Sequence, residues 1–392
     1  MSAINEDTPA LLSGGVSNKI LEKLKLHRGE ESLAGRKYFF FFLVLWLPML
    51  ILSFYESSTS GMQVKVPFLQ DYLVYARFFV ALPILFAAER IVKFQTDYSI
   101  RYFIDSGIIA DNNITDFRGI LNKVLKLKNS SYTEFIILAL AYSMVIFLWK
   151  KVGPGEAGSS WTVSTEPGGG LSVAGYWYFF VAAPVFQFFL LSMIWKFILW
   201  SIFMWKISRM KLNLYPTNPD LSAGLGFLGS SLVGFSFLGA AQSGVVAGEI
   251  ANRIVYMGET LKGNRLYMIT TVVCLTFLYL LPSLFFLSKL LQSKLSGILE
   301  YGVITSRQAS AFYNKWIKGR KAIPEEYLDS PDFSSHTDLN TIFDIIQKMR
   351  FIPVEFRKIL AMVLIIAAPF LPLAFLAFPL SEIVEFIFKI FL

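Results

Sequence analysis

From Leu266 to Ser288 the chain runs for 23 residues without one charged side chain. As a helix rising 1.5 Å per residue, such a run covers about 34 Å, enough to cross the roughly 30 Å hydrocarbon core of a bilayer. Six further runs are predominantly apolar, three of them with a few charged residues: Tyr38 to Tyr55, Tyr72 to Ile91, Tyr132 to Trp149, Tyr176 to Ile207, Leu221 to Gly248 and Ile359 to Phe378. Backbone amides find no water in hydrocarbon, so apolar runs of this length fold as helices. The sequence therefore predicts an all-α, polytopic membrane helix bundle of about seven transmembrane helices, with amphipathic cytoplasmic and interfacial helices between them. Hydrophobic residues make up 55% of the 392, more than a soluble core of this size uses.

The first 37 residues are polar, so the run at Tyr38 lies too far from the start for a cleaved signal and is expected to stay as an anchor. The formal net charge of +8 does not point to nucleic acid, because the basic residues collect between apolar runs, as orientation signals do. With the N-terminus in the cytoplasm, segments 1–37, 89–131, 205–215 and 289–358 hold 27 of the 36 Lys and Arg residues. The expected organisation is an N-terminal cytoplasmic tail over 1–37, with an amphipathic stretch at Ser17 to Leu26, and a membrane domain over 38–288. That domain has six spans and a cytoplasmic segment at 92–131. A cytoplasmic helical segment follows over 289–358, and 359–392 hold the last span and an interfacial helix opening at Pro379 and Ser381. The expected location is a bacterial inner membrane, with the lipid bilayer as the first partner, a homo-oligomer or a cytoplasmic protein as further partners, and no nucleic acid.

Two sets of residues stand out. Within the apolar runs lie the ionisable or polar side chains Arg77, Glu89, Lys196 and Gln242, candidates for a pore or for pairing between helices. Arg77 reads either as a snorkelling or paired cation or as an anion-binding group, and Lys196 as an interfacial anchor or a buried cation. The second set is the turn Asn218, Pro219, Asp220, read as a helix start with Asn as cap and Pro in the first turn, and the small residues that follow it. Among these are Gly224, Gly226, Gly244 and Gly248, and Ala240, Gly244 and Gly248 recur every four residues on one face. Such a face lets two backbones approach closely in lipid, or lines a path. No internal repeat stands out. One cysteine and two histidines in separate segments give neither a disulfide nor a metal site, no cofactor motif is present, and paired acids at Asp220 and Asp332 read as helix starts rather than catalytic residues. An enzyme is not expected.

The run from Gly175 to Gly229, with Pro-Thr-Asn-Pro-Asp-Leu-Ser-Ala-Gly-Leu-Gly-Phe-Leu at Pro216 to Leu228, resembles a family of uncharacterised bacterial multi-pass membrane proteins that carry a P-T-H-P-D-x-x-G-G-L-G-F-L pattern. The resemblance continues through Asn314-Lys315-Trp316, Leu328-Asp329-Ser330-Pro331-Asp332 and Met349-Arg350-Phe351-Ile352-Pro353. It implies membership and no activity. Asn218 stands where the family has His, and Ala223 replaces its first Gly. The best functional expectation is an oligomeric channel or transporter-like pore for an ion or small solute. The alternative is a scaffold or sensor that binds a cytoplasmic partner through 289–358, and a membrane-embedded enzyme ranks last.

Overall fold

A computed structural model describes residues 33–60, 66–156, 161–163, 170–318 and 331–377. The tail before Leu33, its amphipathic stretch and the helix expected from Pro379 lie outside the described residues, as does Leu328 to Ser330. The chain is an all-α membrane bundle. Its helices are α1 (Leu33–Ser60), α2 (Tyr72–Asp105), α3 (Ile114–Lys128), α4 (Ser131–Glu156), α5 (Val173–Arg209), α6 (Leu228–Met257), α7 (Leu261–Leu284), α8 (Leu287–Phe312), α9 (Pro331–Lys348) and α10 (Phe356–Leu376). Among the described residues extended pairing is confined to isolated bridges, one of them joining Val163 to Leu171. Six helices, α1, α2, α5, α6, α7 and α10, are long and apolar enough to cross a membrane, and a seventh crossing exists if Asp111–Lys128 and Tyr132–Phe147, bent by 48°, count as one.

α6 is the centre. In its most apolar window 72% of residues are buried, against 11% in α1 and 17% in α7, whose outward sides are therefore left for lipid. The small residues explain how it packs. A Cβ added at Gly248 would lie 2.4 Å from Ala76 Cβ, one at Gly244 would lie 3.2 Å from Val80, and one at Gly239 would lie 2.9 Å from Ile366. The glycine face is thus filled by α2 on one side and α10 on the other, the tight helix contact that small residues allow in lipid. Gln242 Oε1 accepts from the Tyr279 hydroxyl of α7 at 2.8 Å.

The turn before α6 corrects the sequence reading. Helix begins at Leu228, not Leu221, and its N-cap position is Phe227. Asn218 and Asp220 cap a loop instead: Asn218 Oδ1 accepts from the Asp220 amide, Asp220 Oδ1 accepts from the amides of Ser222 and Gly224, and Oδ2 accepts from Gly226. Leu221 and Ala223 adopt φ values of 55° and 52°, left-handed backbone that disfavours non-glycine residues, and the carboxylate's three bonds hold it there. Arg350 ties the loop down from α9's end, its guanidinium donating to Asp220 O at 2.5 Å and its amide to Leu221 O at 2.7 Å. Other bounds also shift. α2 runs on to Asp105 rather than ending near Ile91, and α7 stops at Leu284, with α8 starting at Leu287.

Two helices break α-helical geometry at matching places. α2 has a π-helical turn at Ala76–Ala81 and α5 has one at Tyr178–Ala182. Aligning them exposes a repeat that the sequence reading missed. Tyr75-Ala-Arg-Phe-Phe-Val-Ala-Leu-Pro83 matches Tyr176-Trp-Tyr-Phe-Phe-Val-Ala-Ala-Pro184, with Tyr, Phe, Phe, Val, Ala and Pro identical in register. The same offset aligns the N-caps: the Asp71 side chain accepts from Leu73 and Val74, and the Ser172 side chain accepts from Gly175. It also aligns the ring pairs Tyr75–Phe79 and Tyr176–Phe180. Each helix leans on the helix before it through the same position: Phe79 packs against Phe42 and Trp46 of α1, and the Phe180 carbonyl accepts from Tyr142 of α4. The hairpins α1–α2 and α4–α5 are therefore two copies of one unit, run in the same direction through the bundle.

Candidate functional site

The repeat places α2 against α5, and the contact between them is layered. At one end Arg77 donates to the Tyr178 hydroxyl, with the guanidinium carbon 5.7 Å from the ring centre. These two residues are equivalents in the repeat, 101 positions apart. Next come two ring contacts, Phe78 with Phe186 at 6.2 Å and Phe86 with Phe189 at 5.0 Å. At the far end Lys196 Nζ and Glu89 Oε1 form an ion pair, their side chains 12% and 23% exposed. Glu89 follows Arg77 by twelve residues, about 18 Å along the helix. Two polar contacts thus close the two ends of an aromatic seam.

Each end has its own support. Around Arg77, Asp71 gathers the Asn252 amide at 2.8 Å and the Trp161 indole N–H at 2.9 Å, while Asn252 Oδ1 accepts from the Tyr72 amide at 2.9 Å. The Trp161 carbonyl accepts from Ser172, and its amide donates to Val66 O, so the connection before α5 is stitched to the one before α2. Gly175 is required at this point, since a Cβ there would sit 2.2 Å from Thr162 O. Asp71 and Glu249 supply negative charge near the guanidinium.

At the other end the ion pair borders a small cleft between α2, the end of α3, α4 and α5. Glu89, Lys128, Glu134 and Lys196 stand in its wall. Burial, with the like charges of Lys196 and Lys93, pushes the Lys128 ammonium down to about 8 against a partial offset from Asp97. Two carboxylates and two ammoniums thus meet at the edge of an apolar wall.

The structure therefore brings together three of the four polar candidates, Arg77, Glu89 and Lys196, on one helix pair, and sets Gln242 apart on the α6–α7 contact. Asn218, Pro219, Asp220, Gly224 and Gly226 form the α6 entry loop, and Gly244 and Gly248 form the face that receives the π-helical turn of α2. Sequence reasoning passed over Tyr178, Lys128, Glu134, Trp161 and Asn252. Tyr178 was legible through the repeated motif; the others are paired by the fold alone. Among the described residues no group of three His, Cys, Asp or Glu side chains is placed to hold a metal ion. Compared with protein-family models, with curated proteins and with solved structures, the chain matches none of them.

Proposed function

We propose that this chain is a transport-type membrane protein that carries an ion or small solute along the α2–α5 seam, with Arg77–Tyr178 and Glu89–Lys196 as latches at its two ends. The observation that carries this reading is the pair of repeated hairpins meeting across two polar contacts with an aromatic layer between. Parallel repeats joined at a broken-helix interface are a recurrent way to build a site that opens to one side at a time. π-Helical turns cluster at functional positions, and here each lies just before a proline, at the same point of the two helices. Buried charges in lipid are costly, which favours a role in the solute path for the paired Glu89 and Lys196. A latch-and-seam transporter fits better than a continuously open channel, because the seam holds no polar layer between its ends.

The charge distribution favours a cytoplasmic N-terminus, with the Glu89–Lys196 end at the cytoplasmic side of a bacterial inner membrane. The chain's place among the uncharacterised family carrying the Pro-Thr-His-Pro-Asp pattern is part of the same proposal. The test is flux into proteoliposomes under salt and voltage gradients. Wild type carries solute, whereas Arg77→Met and Lys196→Met, recovered as the same particle, do not. Equal flux in all three sinks the reading.

A second reading has its own observation. Leu287, Leu291, Leu295, Leu299 and Val303 form an exposed stripe at four-residue spacing on α8, a face suited to a second copy or a protein partner of the 289–358 segment. Leu295→Ser with Leu299→Ser then lowers the oligomeric mass measured by light scattering; an unchanged mass counts against self-association.

A further inference from the structure

We propose that Lys128 is a proton-operated third member of the Glu89–Lys196 latch: charged, it loosens the pair, and neutral, it lets the pair close. Lys128 is the last residue of α3, at the break where the chain bends by 48° into α4. The break is held locally, with the Asn129 amide donating to Leu125 O and the Thr133 hydroxyl to Leu127 O. Phe117 of α3 packs on Phe203 of α5, their ring centres 5.7 Å apart, which fastens the helix to the partner that carries Lys196. Lys128 is thereby set in the wall of the cleft that Glu89, Glu134 and Lys196 also line.

The surrounding charges decide the sign. α2 contributes Glu89, Lys93 and Asp97, α4 contributes Glu134, and α5 contributes Lys196. A proton on Lys128 pushes against Lys196 and offers Glu89 a second ammonium, and both effects weaken the existing ion pair. Asp97 favours the charged form, but burial and the two like charges outweigh it, so Lys128 changes charge at about 8. An arginine here would stay charged throughout, whereas lysine switches. The cleft is small, with room for water rather than a solute, and water is all that a proton needs to reach the ammonium. The proposal rests on the transport reading only for the consequence that a looser pair opens the seam; the pair's response to Lys128 needs no flux.

The experiment is a double-variant cycle on the purified full chain, Glu89→Gln and Lys196→Met alone and together, read from unfolding equilibria in a denaturing-detergent series at about pH 6.5 and about pH 9.5. In the wild-type background the coupling between Glu89 and Lys196 is expected to be about tenfold weaker at the lower pH, the size of one like-charge contact. With Lys128→Arg it stays weak at both, and with Lys128→Met it stays strong at both. Coupling that ignores pH in the wild-type background, or that follows pH equally in Lys128→Met, overturns the proposal. A second measurement leaves Lys128 in place: carbon-13 NMR of dimethylated lysines follows its titration, and Lys196→Met is expected to raise the midpoint by about one pH unit, since the coupling is reciprocal. An unmoved midpoint overturns the proposal as well. Coupling that follows Lys128 in a protein without flux supports it while sinking the transport reading, and flux with pH-independent coupling does the reverse.

Discussion

Gly175 marks how closely the two repeated hairpins are stitched. With Thr162 O 2.2 Å from any added Cβ, Gly175→Ala forces the connection before α5 away from the Asp71 cap, a strain of roughly 1 to 3 kcal/mol. A lower melting temperature in detergent is the expected result; an unchanged one contradicts the stitching. Asp220 acts through its carboxylate's three backbone bonds. Asp220→Asn turns an NH2 group toward one amide that needs an acceptor, costing about 1 to 3 kcal/mol. Protease cutting near Ala223 should rise accordingly, whereas a helix cap would have tolerated Asn with little change. Lys128 gives a pH dependence. Its folded-state value lies near 8, below the ordinary lysine range, so between about pH 8 and pH 10.5 the unfolded chain holds the proton that the folded chain has lost. Stability from this group therefore rises with pH across that window. Lys128→Met should raise the melting temperature at pH 7 and flatten the rise between pH 8 and pH 10; a wild-type slope in the variant would show that another group titrates.

At the scale of elements, the latches are separable from the helices that carry them. Removing one partner of the Glu89–Lys196 pair takes the ion-pair contact from a mostly buried charge, which costs about 1 to 3 kcal/mol, while removing both restores part of that loss. The expected cycle is a large loss for Glu89→Gln or Lys196→Met alone and partial recovery in the double variant, read by thermal melting. Additive losses would mean that the pair is not a unit. The sequence carried the helices themselves clearly, because uncharged runs admit no other fold in lipid. The central place of α6 was also legible from its small residues. What it concealed was local: Pro219 and Asp220 imitate a helix start, yet Asp220 satisfies amides within its own loop while Arg350, 130 residues later, holds the loop's carbonyls. Pairings of Trp161 with Asp71 and of Lys128 with its cleft leave no pattern in a linear chain. The repeat did leave one, in Tyr-x-x-Phe-Phe-Val-Ala-x-Pro, but uniformly apolar surroundings hide a nine-residue match until the two π-helical turns draw attention to it.

For the whole molecule the account is a pair of like hairpins, α1–α2 and α4–α5, standing beside a central α6, with their α2–α5 contact closed at each end by polar latches. α6 offers α2 a smooth surface, since Gly244 and Gly248 meet its π-helical turn without side chains of their own. Its two ends reach opposite ends of the bundle, Asn252 beside Asp71 and Gly229 beside Lys358, so it runs the bundle's length as one helix. The central claim is that the seam opens at one latch at a time. The direct measurement places a cysteine in the apolar layer, Ala81→Cys, which is fully buried, in a Cys274→Ser background, and follows its labelling by a membrane-impermeant maleimide in oriented vesicles. The account predicts slow labelling in that protein, acceleration only from the Arg77 side when Arg77→Met is added, and acceleration only from the Lys196 side when Lys196→Met is added. Labelling that stays at the level of a lipid-buried control in every variant, or that rises from both sides together, would contradict it.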